Sequence, residues 1–237
     1  SYAVVPFHIG DERFRTSGHD LASSSGRLAR KAAAAAPHDV RVAGSLPPLF
    51  GSYRPDLFDA ASAADANDPL VDALAPHVDH WLGETLGSIV EAVAVREALD
   101  RAGSTLPLWL SFTLDDSRPG ALRSGEPVEL AVRTAIDLGA TTIAFNCCPA
   151  ETITDAVRIA AAVGGDQIAI GGYANRFVTS HASEVKANAG YAEFRDDLDP
   201  QAYGDVVAQW LADGATVVGG CCGMEPAHIA HLAELVR

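Results

Sequence analysis

Short apolar runs alternate along this chain with stretches of helical period, and that alternation restricts the fold more than any other feature. Residues 40–43, 78–82, 107–112, 141–145, 167–171 and 216–218 read as strands. Residues 21–36, 87–102, 127–138, 152–162, 200–212 and 226–236 read as helices. A strand, a helix and another strand imply parallel pairing, because parallel neighbours need a crossover. Asp68-Pro69 and Asp199-Pro200 each place a capping residue before a proline at a first helical position. Gly139 and Gly214 stand where a glycine ends a helix. With 237 residues, 48% of them hydrophobic, the chain can bury one sizeable core, and a single α/β domain over 1–237 is expected.

The chemistry is concentrated in two vicinal pairs, Cys147-Cys148 and Cys221-Cys222, which hold all four cysteines. Each pair follows a predicted strand and precedes a helix-starting pattern, where α/β proteins build ligand sites. The segments 138–148 and 213–222 echo one another, and Cys147 and Cys222 each lie eight residues after their glycine, Gly139 or Gly214. Two strands of one barrel would therefore aim cysteines at the same mouth, and gathered thiolates suit a soft metal such as zinc. Four cysteines are too few for a disulfide scaffold, so a reduced, cytoplasmic setting is expected. No Cys-x-x-Cys is present, and adjacent cysteines form strained disulfides, which disfavours a thiol-redox role.

The formal net charge of −14, with only Lys31 and Lys186 as lysines, argues against nucleic acid and anionic membranes as partners. No apolar run reaches the roughly 18 residues of a membrane span. None of the eight histidines has ligand spacing, and His228 and His231 read as surface residues of the last helix. Residues 174–198 lack a period and read as a loop covering a substrate or as a solvated excursion.

The ordered set Ala-Gly-Ser-Leu-Pro-Pro (43–48), Gly-Glu-Thr-Leu-Gly-Ser (83–88), Leu-Ser-Phe-Thr (110–113), Phe-Asn-Cys-Cys-Pro (145–149), Tyr-Ala-Asn (173–175) and Gly-Gly-Cys-Cys-Gly (219–223) resembles the zinc-dependent homocysteine S-methyltransferases, from about residue 42 to the C-terminus. The resemblance implies an eight-stranded (β/α) barrel of the TIM type. The family's opening Asp-Gly-Gly strand, a helix and a second strand have no counterpart here. Ser1-Tyr2 resembles the residues just after that second strand, so the first strands of the barrel are expected to be lacking.

The resemblance further implies a zinc ion held by Cys147, Cys221 and Cys222, with Cys148 a neighbour. It implies small-molecule substrates, homocysteine and a methyl donor, with methionine as product. A sulfonium donor, S-methylmethionine or S-adenosylmethionine, is expected, since no folate- or cobalamin-binding module is evident. Glu84 would accept the substrate's ammonium group. Asn146 would orient its neighbour or the substrate, or form a turn. Ser111 and Thr113 share one strand face, which leaves pocket lining and barrel filling both open, and Asn175 is a further pocket candidate. The competing reading is a non-catalytic zinc-binding remnant of the family. Oligomeric state is not legible.

Overall fold

The computed structural model describes residues 1–178 and 193–237. Six strands form one wholly parallel sheet in chain order: β1 (Ala43–Leu46), β2 (His80–Leu86), β3 (Leu108–Phe112), β4 (Thr142–Asn146), β5 (Ala169–Tyr173) and β6 (Val217–Val218). The helices are α1 (Pro6–Ile9), α2 (Asp11–Ala34), α3 (Ala63–Leu74), α4 (Ile89–Arg101), α5 (Val128–Asp137), α6 (Ala150–Gly164), α7 (Pro200–Ala212) and α8 (Pro226–Leu235). Sequential parallel strands joined by helices make the wall of a TIM-type barrel, which closes with eight strands. Six are present among the described residues. No helix among them is long and apolar enough to cross a membrane.

Strand alternation sorts side chains between two layers. Ile143 and Phe145 of β4 are buried under helices whose apolar residues recur at helical spacing, Val128, Ala131, Val132 and Ala135 on α5 and Ile153, Ala156, Val157 and Ala160 on α6. The opposite face is built from small side chains. Ser111, Ala144 and Gly171 lie in register across β3, β4 and β5. A β-carbon at Gly171 would lie 3.1 Å from that of Ala144. Two residues further on, Asn146 and Tyr173 are register partners on this face, at the C-terminal end of the sheet.

Helix punctuation follows the sequence in part. Asp199 caps α7 by accepting from the Ala202 N–H at 2.9 Å, with Pro200 first in the helix. Gly139 (φ 71°) and Gly214 (φ 109°) terminate α5 and α7 in the left-handed region. Asp68-Pro69, by contrast, starts no helix, since Pro69 lies inside α3. Burial of Ala63, Ala66, Leu70 and Val71 extends the helix upstream of it, and Asp68 instead pairs with Arg101 at 2.7 Å. The second helix begins ten residues before the predicted 21–36. Its packed stripe is Phe14, Gly18, Ala22 and Gly26, mostly small residues with little hydrophobic signal. The first strand runs later than 40–43, and the second extends past residue 82 to Leu86. His228 is not a surface residue: it is 1% exposed, its Nδ1 accepts from the Glu225 N–H, and its Nε2 contacts the Leu198 carbonyl. The ring stitches α8 to the approach of α7.

Glu91 in the first turn of α4 is buried, accepting from the Gly87 N–H and the Ser88 hydroxyl, both at 2.8 Å. Burial outweighs these hydrogen bonds and pushes its carboxyl up to about 7. The folded state therefore binds a proton that the unfolded chain, with an ordinary glutamate, has already released, so stability falls as pH rises from about 4.5 to about 7. At 1.36 kcal/mol per unit the loss is about 3 kcal/mol. Urea unfolding of wild type and Glu91→Gln across this window should show the slope in the first and its reduction in the second.

Candidate metal and substrate site

The cysteines are brought together by loops sewn to one another through the backbone. The Cys147 N–H donates to the Tyr173 carbonyl at 3.2 Å, the Cys221 N–H to Ala174 at 2.9 Å, and the Arg176 N–H to Cys222 at 2.9 Å. Cys147 itself has φ 53°, a left-handed turn that separates the directions of the two adjacent thiols. Gly220 is required by packing, because a β-carbon there would lie 2.7 Å from that of Met224.

The Sγ atoms of Cys147, Cys221 and Cys222 all lie within 4.8 Å of one another, a group that could hold a metal ion. Cys147 and Cys222 are 3.6 Å apart, and Cys221 and Cys222 3.9 Å. A tetrahedral ion with metal–sulfur distances near 2.3 Å needs sulfurs about 3.8 Å apart. Cys147 is 4% exposed, whereas Cys222 is open to solvent. Cys148 points into the apolar core and stands outside the group. Burial pushes its thiol up, which keeps it neutral. Within the group Cys222 ionises first, held below the usual thiol range by hydrogen bonds from Cys147 and then Cys221.

Around the thiols lies a polar network. Asn146, fully buried, accepts from the Ser111 hydroxyl at 2.7 Å and the Thr85 N–H at 3.2 Å, and donates to the Thr85 hydroxyl at 2.8 Å. Its Nδ2 lies 3.8 Å from the Cys221 sulfur. Asn146 thus ties β2 to the cysteine loops. The β2–β3 register shifts between Gly83 and Leu86, a bulge that re-aims Glu84 and Thr85. Glu84 accepts from the Ser45 hydroxyl at 2.7 Å, and burial pushes its carboxyl up. Thr113 is fully buried with an unpartnered hydroxyl. Asn175 accepts from the Phe177 N–H at 3.2 Å, closing a turn in its own loop.

Three participants are not among the site residues expected from the sequence. The Tyr53 hydroxyl donates to Cys147 Sγ at 2.9 Å. Thr85 bonds Asn146. The Tyr173 hydroxyl is buried near Glu84 and Ser111 without an aligned hydrogen bond to either. Tyr173 ends a strand whose alternation places it inward, a usable signal, whereas Tyr53 and Thr85 depend on left-handed backbone that their residue types do not announce. The segment 174–198 falls largely on residues 179–192, outside the described residues. At its described ends, Phe177 and Phe194 stack at 5.8 Å, and Phe194 lies against Gly223 beside Cys222.

The sequence model of the homocysteine S-methyltransferases matches residues 1–236, starting well before the motifs that open at Ala43. The chain belongs to this family. Homocysteine S-methyltransferase 4 of Zea mays is 26% identical over 155 residues, covering 65% of this chain and 43% of that protein. Methionine synthase of Mycobacterium tuberculosis is 27% identical over 97% of this chain and 19% of its own length. The chain thus spans less than half of these curated relatives. Among solved structures, the metallated form of the homocysteine methyltransferase MmuM from Escherichia coli superposes with a TM-score of 0.78 at 27% identity, over 99% of this chain and 77% of that one. The oxidised form of MmuM matches equally well, with a TM-score of 0.78 at 26% identity. Membership in the homocysteine S-methyltransferase family agrees with the parallel α/β architecture and with a site at the C-terminal ends of the strands.

Proposed function

We propose that this chain transfers a methyl group from a sulfonium donor to the sulfur of homocysteine, giving methionine, at a zinc site formed by Cys147, Cys221 and Cys222. The observation that carries the reading is the convergence of three thiols within 4.8 Å of one another, two of the separations being 3.6 and 3.9 Å, in a chain of this family. Three sulfurs form a soft donor set suited to zinc, and three protein ligands leave one position for substrate, the pattern of a catalytic site. Zinc held there would supply the Lewis acidity that keeps a thiol deprotonated at neutral pH. MmuM, solved in a metallated form, supports the assignment.

The remaining chemistry belongs to the chain's own residues. Glu84, steadied by Ser45, accepts the α-ammonium group of the amino acid in a charge-assisted hydrogen bond. Asn146 acts as a positioning residue, fixing Thr85 beside Glu84 on one side and meeting Cys221 on the other. Ser111 and Asn175 border the pocket and shape it through Asn146 and the loop after β5, while Thr113 keeps a free hydroxyl. As the homocysteine sulfur forms its bond to the methyl carbon, the donor's carbon–sulfur bond breaks and a neutral thioether leaves with the electron pair. No general base is needed. The carboxylate and thiolates favour a cationic donor, as does the acidic chain.

The test is zinc per chain in protein purified without added metal, with methionine formation followed by mass spectrometry using S-methylmethionine and S-adenosylmethionine in turn. About one zinc and turnover with either donor supports the reading. Zinc without turnover leaves a non-catalytic metal-binding remnant, and folded protein without zinc removes the site assignment.

A further inference from the structure

Among the described residues, three non-glycine residues have left-handed backbones: Tyr53 (φ 64°), Thr85 (φ 61°) and Cys147 (φ 53°). Such conformations persist only where the surroundings over-determine them, and they cluster at functional sites. Here they belong to one assembly. Thr85 is bonded to Asn146, Asn146 meets Cys221, and Cys147 receives the Tyr53 hydroxyl. Tyr53 comes from the loop between β1 and α3, and its ring is fixed from outside. The Arg123 guanidinium lies over the ring at 5.4 Å from its centre. Arg123 is held in turn by Asp116 at 3.2 Å and by its own N–H on the Thr113 carbonyl at 3.0 Å. The phenol is therefore clamped between the loops after β1 and β3, with its O–H directed at one sulfur.

We infer that Tyr53 is a positioning residue that sets how strongly Cys147 donates electrons to a bound metal, through the hydrogen bond from its hydroxyl to Sγ. The inference rests on the metal site proposed above. An O–H directed at a thiolate draws on a sulfur lone pair. The sulfur then gives less charge to the metal, which keeps more of its acidity for the substrate thiol. The same contact makes Cys147 a poorer nucleophile toward an alkylating donor, so the methyl group goes to substrate rather than to a ligand.

The test loads wild type and Tyr53→Phe with Co2+ and records the thiolate-to-cobalt charge-transfer band. Phenylalanine keeps the ring and its contact with Arg123, so an unchanged circular dichroism spectrum is expected. Without the O–H the sulfur lone pair rises in energy, and the band moves to longer wavelength. In the zinc-loaded protein kcat/KM falls about tenfold, the size of one hydrogen bond to a charged group. Site-specific 3-fluorotyrosine at position 53, more acidic and nearly the same shape, moves the band to shorter wavelength, and this arm decides the matter should Tyr53→Phe fail to fold. Bands that coincide across folded, cobalt-loaded proteins overturn the role of Tyr53 while the thiolate site stands. Wild type that takes up no Co2+ into a thiolate site overturns the metal reading and this inference with it.

Discussion

Cys221→Ser should abolish metal binding and methyl transfer together, while Cys148→Ser leaves both largely intact. The contrast follows from where the two thiols point. The Cys221 sulfur lies within the three-thiol group and is met by Asn146. Cys148, 1% exposed, packs in the apolar core. A serine hydroxyl at 221 is a hard, protonated donor in place of a soft thiolate, and two remaining thiols close no tetrahedral site. The loss of affinity should exceed about a hundredfold, the upper end for losing only an outer-shell partner. At position 148 the cost is confined to burying a hydroxyl, about 1–3 kcal/mol of stability. Zinc content by plasma emission and methionine formation check both variants. Retained zinc and turnover in the Cys221 variant would sink the site assignment.

Glu84→Gln should raise KM for homocysteine by roughly 10- to 150-fold, with a smaller change in kcat. This is the 1.5–3 kcal/mol range of a hydrogen bond to a charged group. Glutamine keeps the shape and can still accept from Ser45, so the loss isolates the negative charge that an ammonium group would meet. Because burial raises the Glu84 carboxyl, wild-type affinity for homocysteine should strengthen as pH rises through that raised value, and the variant should lose this component. Steady-state kinetics at several pH values read both effects. An unchanged KM would remove Glu84 from the substrate pocket.

The alternation of apolar runs and helical stretches carried the architecture well, because a buried parallel sheet demands near-continuous apolar strands. It failed where packing is made by small residues. The stripe on α2 uses Gly18, Ala22 and Gly26, and Gly26 admits His77 so closely that a β-carbon at this glycine would lie 2.9 Å from that of His77. Such close approach leaves little trace in hydrophobic periodicity. Asp68-Pro69 misled for a related reason: a local start signal is worth less than the burial of one whole face of α3.

At the site, the sequence by itself determined that cysteines follow two echoing strands, and the equal offset of Cys147 and Cys222 from their glycines already implied that the two meet. Their sulfurs are 3.6 Å apart. Family resemblance, not spacing, separated Cys147 from Cys148. Only the tertiary structure shows how that separation arises. The left-handed turn at Cys147 sends one thiol to the group and its neighbour into the core. The hydroxyl on Cys147 likewise arrives from Tyr53, 94 residues away along the chain. Periodicity and motifs record which face of an element a residue occupies. The direction of a side chain at a strained turn depends on contacts made by distant loops, and no local pattern encodes it.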